Sequence, residues 1–201
     1  MILYDYILSA SCYKVRLMAA LLGVKLDLHA VDFHPGREHK GAAMLALNPA
    51  GTLPVLVDGP TVLTDTGAML AHLAQGTAWL DHDPKWLDMA GRLNTSLGMA
   101  RLHDMLHYPA DIVAVRRAGV LALRELEAHL TVRRWAGQIF LCADHPTIAD
   151  IACFPNVALA PDGGVGLDDY PSLRLWLRAV RSLPGFIEMP GIHRMHENRV
   201  E

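Results

Sequence analysis

Ala46-Leu47-Asn48-Pro49-Ala50-Gly51-Thr52-Leu53-Pro54-Val55-Leu56 decides how the rest of this chain is read. Asn-Pro and Gly mark a loop, and the apolar run from Val55 marks a buried strand entered through Leu53-Pro54. A proline opening a strand has no N–H to give to a ladder, so it sits at an edge or an irregularity. If the Leu53-Pro54 bond is cis, the Leu53 backbone turns outward, free to pair with a small peptide-like ligand. About one X-Pro bond in twenty is cis in folded proteins, so the dipeptide alone does not establish that geometry.

Downstream, Val55-Leu56-Val57, Asp58-Gly59-Pro60 and Thr61-Val62-Leu63 read as strand, turn and strand. Asp65 then caps a helix through about Ala74, with Met69, Leu70 and Leu73 turned inward. Upstream, Met1 to Ile7 reads as a short strand. Tyr13 to Leu22 carries a helical apolar stripe that Gly23 stops, and Leu26 to Val31 alternates like a half-buried strand. The order is β-α-β, a helical or irregular link, then β-β-α. After Gln75-Gly76-Thr77 the strand signals end, and Pro84–Tyr108, Ala110–Arg134, Thr147–Leu159 and Pro171–Leu183 read as helices. Leu121, Leu123, Leu126 and Leu130 mark the apolar spacing of the second, and Thr147 with Asp150 forms a capping box on the third. The expectation is an α/β domain over 1–78 and an all-α domain over 84–201.

The whole chain sets limits on partners. It has 201 residues, 52% hydrophobic and 19% charged, which suits a packed core and not a disordered chain. Net charge is −3 with scattered Lys and Arg, so no nucleic-acid partner is expected. No apolar run approaches the roughly 20 residues that span a bilayer, so no membrane partner is expected either. Asp5 and the lack of a basic leader argue against a signal peptide, and a cytoplasmic location is expected. Cys12, Cys142 and Cys153 form neither a disulfide framework nor a zinc pattern.

Two further stretches carry chemistry. Ser9-Ala10-Ser11-Cys12-Tyr13 lies between the first strand and helix, where free N–H groups and the helix dipole favour a thiolate or other anion. Plain capping by a serine explains the same residues. Asp65-Thr66-Gly67 opens a later helix, where Thr66 can grip a carboxylate and Asp65 an ammonium, or where Asp65 simply caps. His103 and His107 are four apart on a helix but lack an evident acidic third ligand, so no metal is expected. Asp162-Gly163-Gly164-Val165-Gly166 follows a helical pattern and lacks the Lys-Ser/Thr of a phosphate loop, so it reads as a connection.

Taken together in this order, the Ser-rich helix start, Asn-Pro-x-Gly-x-Leu-Pro, the hairpin and Asp-Thr resemble the thioredoxin-like domain of the cytosolic glutathione transferases. The resemblance continues through Thr147-Ile148-Ala149-Asp150-Ile151-Ala152, Tyr170 to Leu177 and Leu183-Pro184-Gly185-Phe186, covering residues 1–196. It implies a thioredoxin-like N-terminal domain (βαβ-α-ββα), an all-helical C-terminal domain, glutathione as co-substrate, and a homodimer. Thr52, Leu53 and Pro54 then border the cysteinyl part of glutathione. Asp65 and Thr66 hold the γ-glutamyl head, and His39 with Lys40 the glycyl carboxylate. Gly67 departs from the Ser, Asn or Arg often found there. Ser9, with Cys12 three residues on in a bacterial-type Ser-x-x-Cys motif, is the favoured thiol activator. Ser11 and Cys12 stay as alternatives, and Tyr6 is set aside as lying within the strand. Met99, Leu102, His103, Leu106, His107 and Tyr108 are the expected pocket for a hydrophobic electrophile.

The expected activity is transfer of glutathione to such an electrophile, in detoxification. Thiol–disulfide exchange through Cys12 and a non-catalytic glutathione-binding role are the alternatives.

Overall fold

A computed structural model describes residues 1–194, so the last residues of the expected 84–201 segment, and 195–196 of the resemblance, lie outside the described part. The first half runs β1 (Ile2–Asp5), α1 (Ala10–Leu21), β2 (Asp27–Ala30), α2 (Ala42–Leu47), β3 (Val55–Asp58), β4 (Thr61–Leu63) and α3 (Thr66–Leu73). The strand order is β2-β1-β3-β4, with β1 and β2 parallel and the β1/β3 and β3/β4 pairs antiparallel. Leu3 faces Leu56 across the β1/β3 ladder, and both are fully buried. A right-handed crossover is the usual way for α1 to join two parallel strands, and α1 packs on α3 to cover the sheet. Gly59 supplies the positive φ of the β3–β4 turn, and Gly23 that of the α1 terminus.

One strand departs from its sequence pattern. The alternation at Leu26–Val31 predicts a half-buried strand, but every residue of β2 is exposed, Leu28 at 56%. β2 is the sheet edge, and the helices cover the inner strands; Val31, just beyond it, is the residue that goes inside.

The second half is helical: α4 (Lys85–Leu93), α5 (Met99–Leu106), α6 (Ile112–Trp135), α7 (Ile148–Ala158) and α8 (Pro171–Arg181). A π-helical turn, Asn94–Gly98, joins α4 to α5, and its flanking residues Leu93 and Met99 keep helical dihedrals. The expected single helix from Pro84 is therefore one rod with an inserted turn that ends before Tyr108. On α6, Leu123, Leu126 and Leu130 are buried as expected, but Leu121 is 54% exposed. It lies two residues before Leu123, about 200° around the helix, on the opposite face.

Asp150 ties the helical half together. Its Oδ2 accepts from the Thr147 N–H (2.8 Å) and hydroxyl (3.2 Å), and its Oδ1 from the Leu141 N–H (2.9 Å) and the Trp176 indole (2.8 Å). Burial raises its carboxyl above the usual range while these four donors hold it down. The capping box read at Thr147–Asp150 is thus the hub of a buried network. Buried residues of both halves form one cluster, from Leu3 and Met69 to Leu126, Phe154 and Trp176. Among the described residues no helix is long and apolar enough to cross a membrane.

Candidate functional site

A cleft of about 300 Å³ lies where the two halves meet. Its first wall is built by the turn between β1 and α1, by Phe33, His39 and Lys40, and by Gly51, Thr52 and Leu53. Ser9 N-caps α1, its Oγ accepting from the Cys12 N–H at 3.2 Å. An oxygen that accepts through one lone pair keeps its own proton to donate, and Ser9 lines the cleft. Ser11 lines it too, its hydroxyl 3.5 Å from Asn94 Oδ1 across the cleft.

Cys12 does not join them. It is fully buried, its Sγ accepts from the Tyr6 N–H at 3.4 Å, and burial pushes the thiol up to about 12 against the Ser9 hydrogen bond. The expectation of a helix-stabilised thiolate fails at this residue because desolvation outweighs the dipole. Tyr6 moves the other way. β1 ends at Asp5, and Tyr6 lines the cleft with its ring stacked on Phe33 at 5.3 Å. Burial, and then Asp32, raise its phenol, so it stays a protonated donor.

The loop that opened the sequence reading is held by Asn48, a buried residue whose Nδ2 donates to Thr52 O and Thr52 Oγ1, each at 2.9 Å. Asn48 Oδ1 accepts from the Ala50 N–H at 3.2 Å, which closes the loop on itself. Leu53-Pro54 is cis, as is His34-Pro35, which nothing in the sequence marked. Leu53 lines the cleft, and Pro54 is buried behind it. Lys40 is exposed, its Nζ donating to Ala50 O at 3.0 Å, with Gly51 so close that a Cβ there would meet the Lys40 side chain at 2.9 Å. His39 is stacked on Phe33 at 4.1 Å, and burial, then Lys40 and Arg37, hold its pKa below the usual value. It presents a neutral ring, so positive charge at this end of the cleft belongs to Lys40.

Asp65 and Thr66 stand outside the cleft wall, at the start of α3. Asp65 is exposed and its Oδ1 caps the helix from the Ala68 N–H at 2.8 Å, while its Oδ2 accepts no hydrogen bond among the described residues. Gly67 adds no side chain there.

Of the six expected pocket residues, Leu102, Leu106 and Tyr108 line the cleft and the other three do not. Met99, His103 and His107 do not line the cleft; Asn94, Gly98, Arg101, Leu102, Met105 and Leu106 do, with Tyr108 after them. The cleft face is displaced about 100° from the face chosen through the histidines. His103 instead has its Nδ1 2.9 Å from Asp104 Oδ1, and His107 is exposed with a φ of +56° where α5 ends. A π turn holds about one residue more than an α turn, and sequence spacing gives no sign of it.

Arg101 is a cleft-lining residue the sequence did not mark. Its side chain is 8% exposed, its Nε lies 3.0 Å from Asp162 Oδ2, and its Nη1 donates to Leu8 O at 2.7 Å. It bolts the helical wall to the β1–α1 turn. The glycine run read as a connection serves this packing, because a Cβ on Gly163 would lie 2.8 Å from the Arg101 nitrogen.

Known proteins share this architecture. The family models for the glutathione S-transferase N-terminal and C-terminal domains match residues 3–78 and 110–179. Maleylacetoacetate isomerase of Pseudomonas aeruginosa is 31% identical, over 92% of this chain and 92% of its own length. A glutathione S-transferase from Xanthobacter autotrophicus superposes with a TM-score of 0.84 at 28% identity, covering 94% of this chain and 97% of that one. A maleyl pyruvate isomerase described as a bacterial glutathione S-transferase of the Zeta class gives 0.73 at 27% identity, with 92% and 94% covered. The chain belongs to the glutathione S-transferase family.

Proposed function

We propose that the chain binds glutathione in this cleft, activates its thiol through Ser9, and adds it to a small electrophile held against the helical wall. The observation that carries the reading is that Ser9 and Leu53 share one cleft wall and face an apolar helix surface across it. In this reading residues 1–78 form the glutathione side and 84–201 the electrophile side. Leu53 pairs through its backbone with the cysteinyl unit, and Thr52 borders it. Lys40, beside the neutral His39, draws the glycyl carboxylate, and the γ-glutamyl head reaches beyond the cleft wall to Asp65 and Thr66. Leu102, Met105, Leu106 and Tyr108 take the electrophile. Ser11 gives a second hydroxyl near the thiol. The family resemblance further supports a cytoplasmic homodimer that serves detoxification.

The energetics are modest. A free thiol has a pKa of about 8.5, and lowering it by roughly two units takes about 2.7 kcal/mol of preferential anion stabilisation. One hydroxyl hydrogen bond plus the amino end of α1 is of that size. Cys12 supports no thiol–disulfide role, because its sulfur is buried and held protonated.

The relative named maleylacetoacetate isomerase favours a second reading with the same first step. A thiolate adding to a cis double bond conjugated to a carbonyl leaves a single bond that can rotate. Expelling the thiolate then regenerates glutathione and gives the trans alkene, with no net transfer. Calorimetric titration with glutathione, followed by assays with a chlorinated dinitrobenzene and with a cis-enone, separates these readings. Consumption of thiol with release of chloride supports transfer, and cis–trans conversion at constant thiol supports isomerisation. Binding without either reaction leaves a glutathione-binding homologue, and no binding overturns the proposal.

A further inference from the structure

We propose that Arg16 is a positioning residue for Ser9: its buried guanidinium holds the Ile7 carbonyl of the β1–α1 turn and so fixes where the Ser9 hydroxyl meets the glutathione thiol. The proposal rests on Ser9 being the thiol activator.

Ser9 ends a tight turn whose backbone groups each have a partner. The Ser9 N–H donates to Tyr6 O at 2.9 Å, and Ser9 O accepts from the Tyr13 N–H at 2.9 Å. Ile7 and Leu8 lie between the end of β1 and the start of α1, outside either ladder. Their carbonyls are taken by guanidinium groups instead. Arg16 Nη2 donates to Ile7 O at 3.1 Å, and Arg101 Nη1 donates to Leu8 O at 2.7 Å. The two arms come from opposite halves of the molecule, Arg16 from α1 and Arg101 from α5. The backbone just before Ser9 is thus pinned from both sides.

The contact between Arg16 and Asp5 shows what the guanidinium is aimed at. Both side chains are 8% exposed, and Arg16 Nε lies 3.2 Å from Asp5 Oδ1. Yet neither of these atoms completes a hydrogen bond among the described residues. A guanidinium and a carboxylate that align freely form two parallel hydrogen bonds. In this pair the fork is turned off that line, and its directed bond goes to Ile7 O. Asp5 balances the charge, and the carbonyl sets the orientation. A buried ion pair seldom adds net stability, so a stability role explains this arrangement poorly. A geometric role explains it better, because a hydrogen bond to a reacting atom weakens steeply as its length and angle drift.

The pKa of the bound glutathione thiol, read from its thiolate ultraviolet absorbance, reports on Ser9 where a denaturation curve does not. Ser9→Ala is the reference and should raise that pKa by the full two units or so ascribed to the site. Arg16→Lys keeps a cation beside Asp5 but lacks the planar fork. It should raise the bound-thiol pKa by about one unit, a tenfold loss of thiolate at low pH, and leave the KM for the electrophile unchanged. Asp5→Asn keeps the guanidinium on Ile7 O, so it should lower stability and leave the thiol pKa at its wild-type value. If Arg16→Lys does not fold, Asp5→Asn/Arg16→Met leaves no unpaired charge and carries the same expectation as Arg16→Lys. A thiol pKa that moves in Ser9→Ala but not in the Arg16 variants overturns the proposal. So does an Asp5→Asn shift as large as that of Arg16→Lys, since the charge and not the carbonyl hold would then be at work. A thiol pKa that Ser9→Ala leaves in place overturns the reading of Ser9 as activator, whatever Arg16 does.

Discussion

On the sheet side of the cleft the chain offers backbone and short hydroxyls: Ser9 on a helix cap, Thr52 and Leu53 in a loop closed by Asn48. On the helical side it offers the long side chains Leu102, Met105 and Leu106 from a single helix. A backbone grip reads one peptide-like shape and depends little on which side chains are present. An apolar helix face accepts many shapes and changes with each substitution. The contrast suits a site with one invariant ligand and one variable one. It also means that damage to the two walls should show up in different measurements.

The largest effect is expected where the walls are joined. Arg101→Leu removes a buried guanidinium, leaving Leu8 O without its donor and Asp162 without its cation. Breaking a largely buried, hydrogen-bonded pair costs about 3 kcal/mol or more. Chemical denaturation should show that loss, and the variant should lose affinity for both substrates together. Loss of affinity for only one would mean that the walls are positioned independently.

Ser9→Ala comes next and should separate the walls. Turnover should fall about 100-fold, or ~2.7 kcal/mol, with glutathione affinity changed by less than about threefold. The lost N-cap should cost a further ~1 kcal/mol of stability. The pH profile gives a second readout. Thiolate-dependent turnover in wild type should rise through roughly pH 6.5 and shift toward the free-thiol value of about 8.5 in the variant. Turnover that survives in Ser9→Ala and is lost in Ser11→Ala would transfer the role to Ser11.

The sheet wall was far more legible in the sequence than the helical one, for a physical reason. Gly59, the Asp65 cap and Asn48-Pro49 are residues whose local chemistry dictates the backbone around them, so a turn can be read where it stands. The alternation of β2 misled because period alone does not say whether a strand is central or at an edge. On the helical wall, the face that lines the cleft depends on phase, and the π turn at Asn94–Gly98 resets phase without a sequence signature. Arg101 was missed because its partner lies across the fold: Asp162 is 61 residues away in the chain.

Lys14 probes how tightly the halves close on each other. It sits on α1 at 3% exposure, and burial lowers its pKa from 10.5 to about 8, partly opposed by Cys153 and Asp65. Between pH 8 and 10.5 the unfolded chain holds a proton that the folded chain has released, so stability should rise with pH across that window. Below it, the cost of the buried charge is constant. Lys14→Met should therefore be more stable by about 1–3 kcal/mol at pH 7. That advantage should shrink toward pH 10.5 in paired denaturation curves; a gap independent of pH would mean that the ammonium is solvated.

Cys12→Ala tests a smaller quantity. The buried sulfur fills space, so its loss should cost about 1 kcal/mol, with turnover kept within about twofold. Native protein at pH 8 should leave Cys12 unlabelled by iodoacetamide, as a thiol pushed up to about 12 requires.

The smallest effects are expected at the two histidines that the sequence placed in the pocket and the structure does not. His103 and His107 lie one residue out of phase with Leu102 and Leu106, away from the cleft. His103→Ala removes a surface contact to Asp104 and His107→Ala an exposed residue, so each should alter stability by less than about 0.5 kcal/mol. Neither should change the KM for an electrophile by more than about twofold. Leu102→Ala, one step round the helix, removes apolar cleft surface and should raise that KM several-fold while leaving glutathione affinity alone. If a histidine variant matched Leu102→Ala, the cleft in solution would run along the other face, and the π turn would not set the phase of α5.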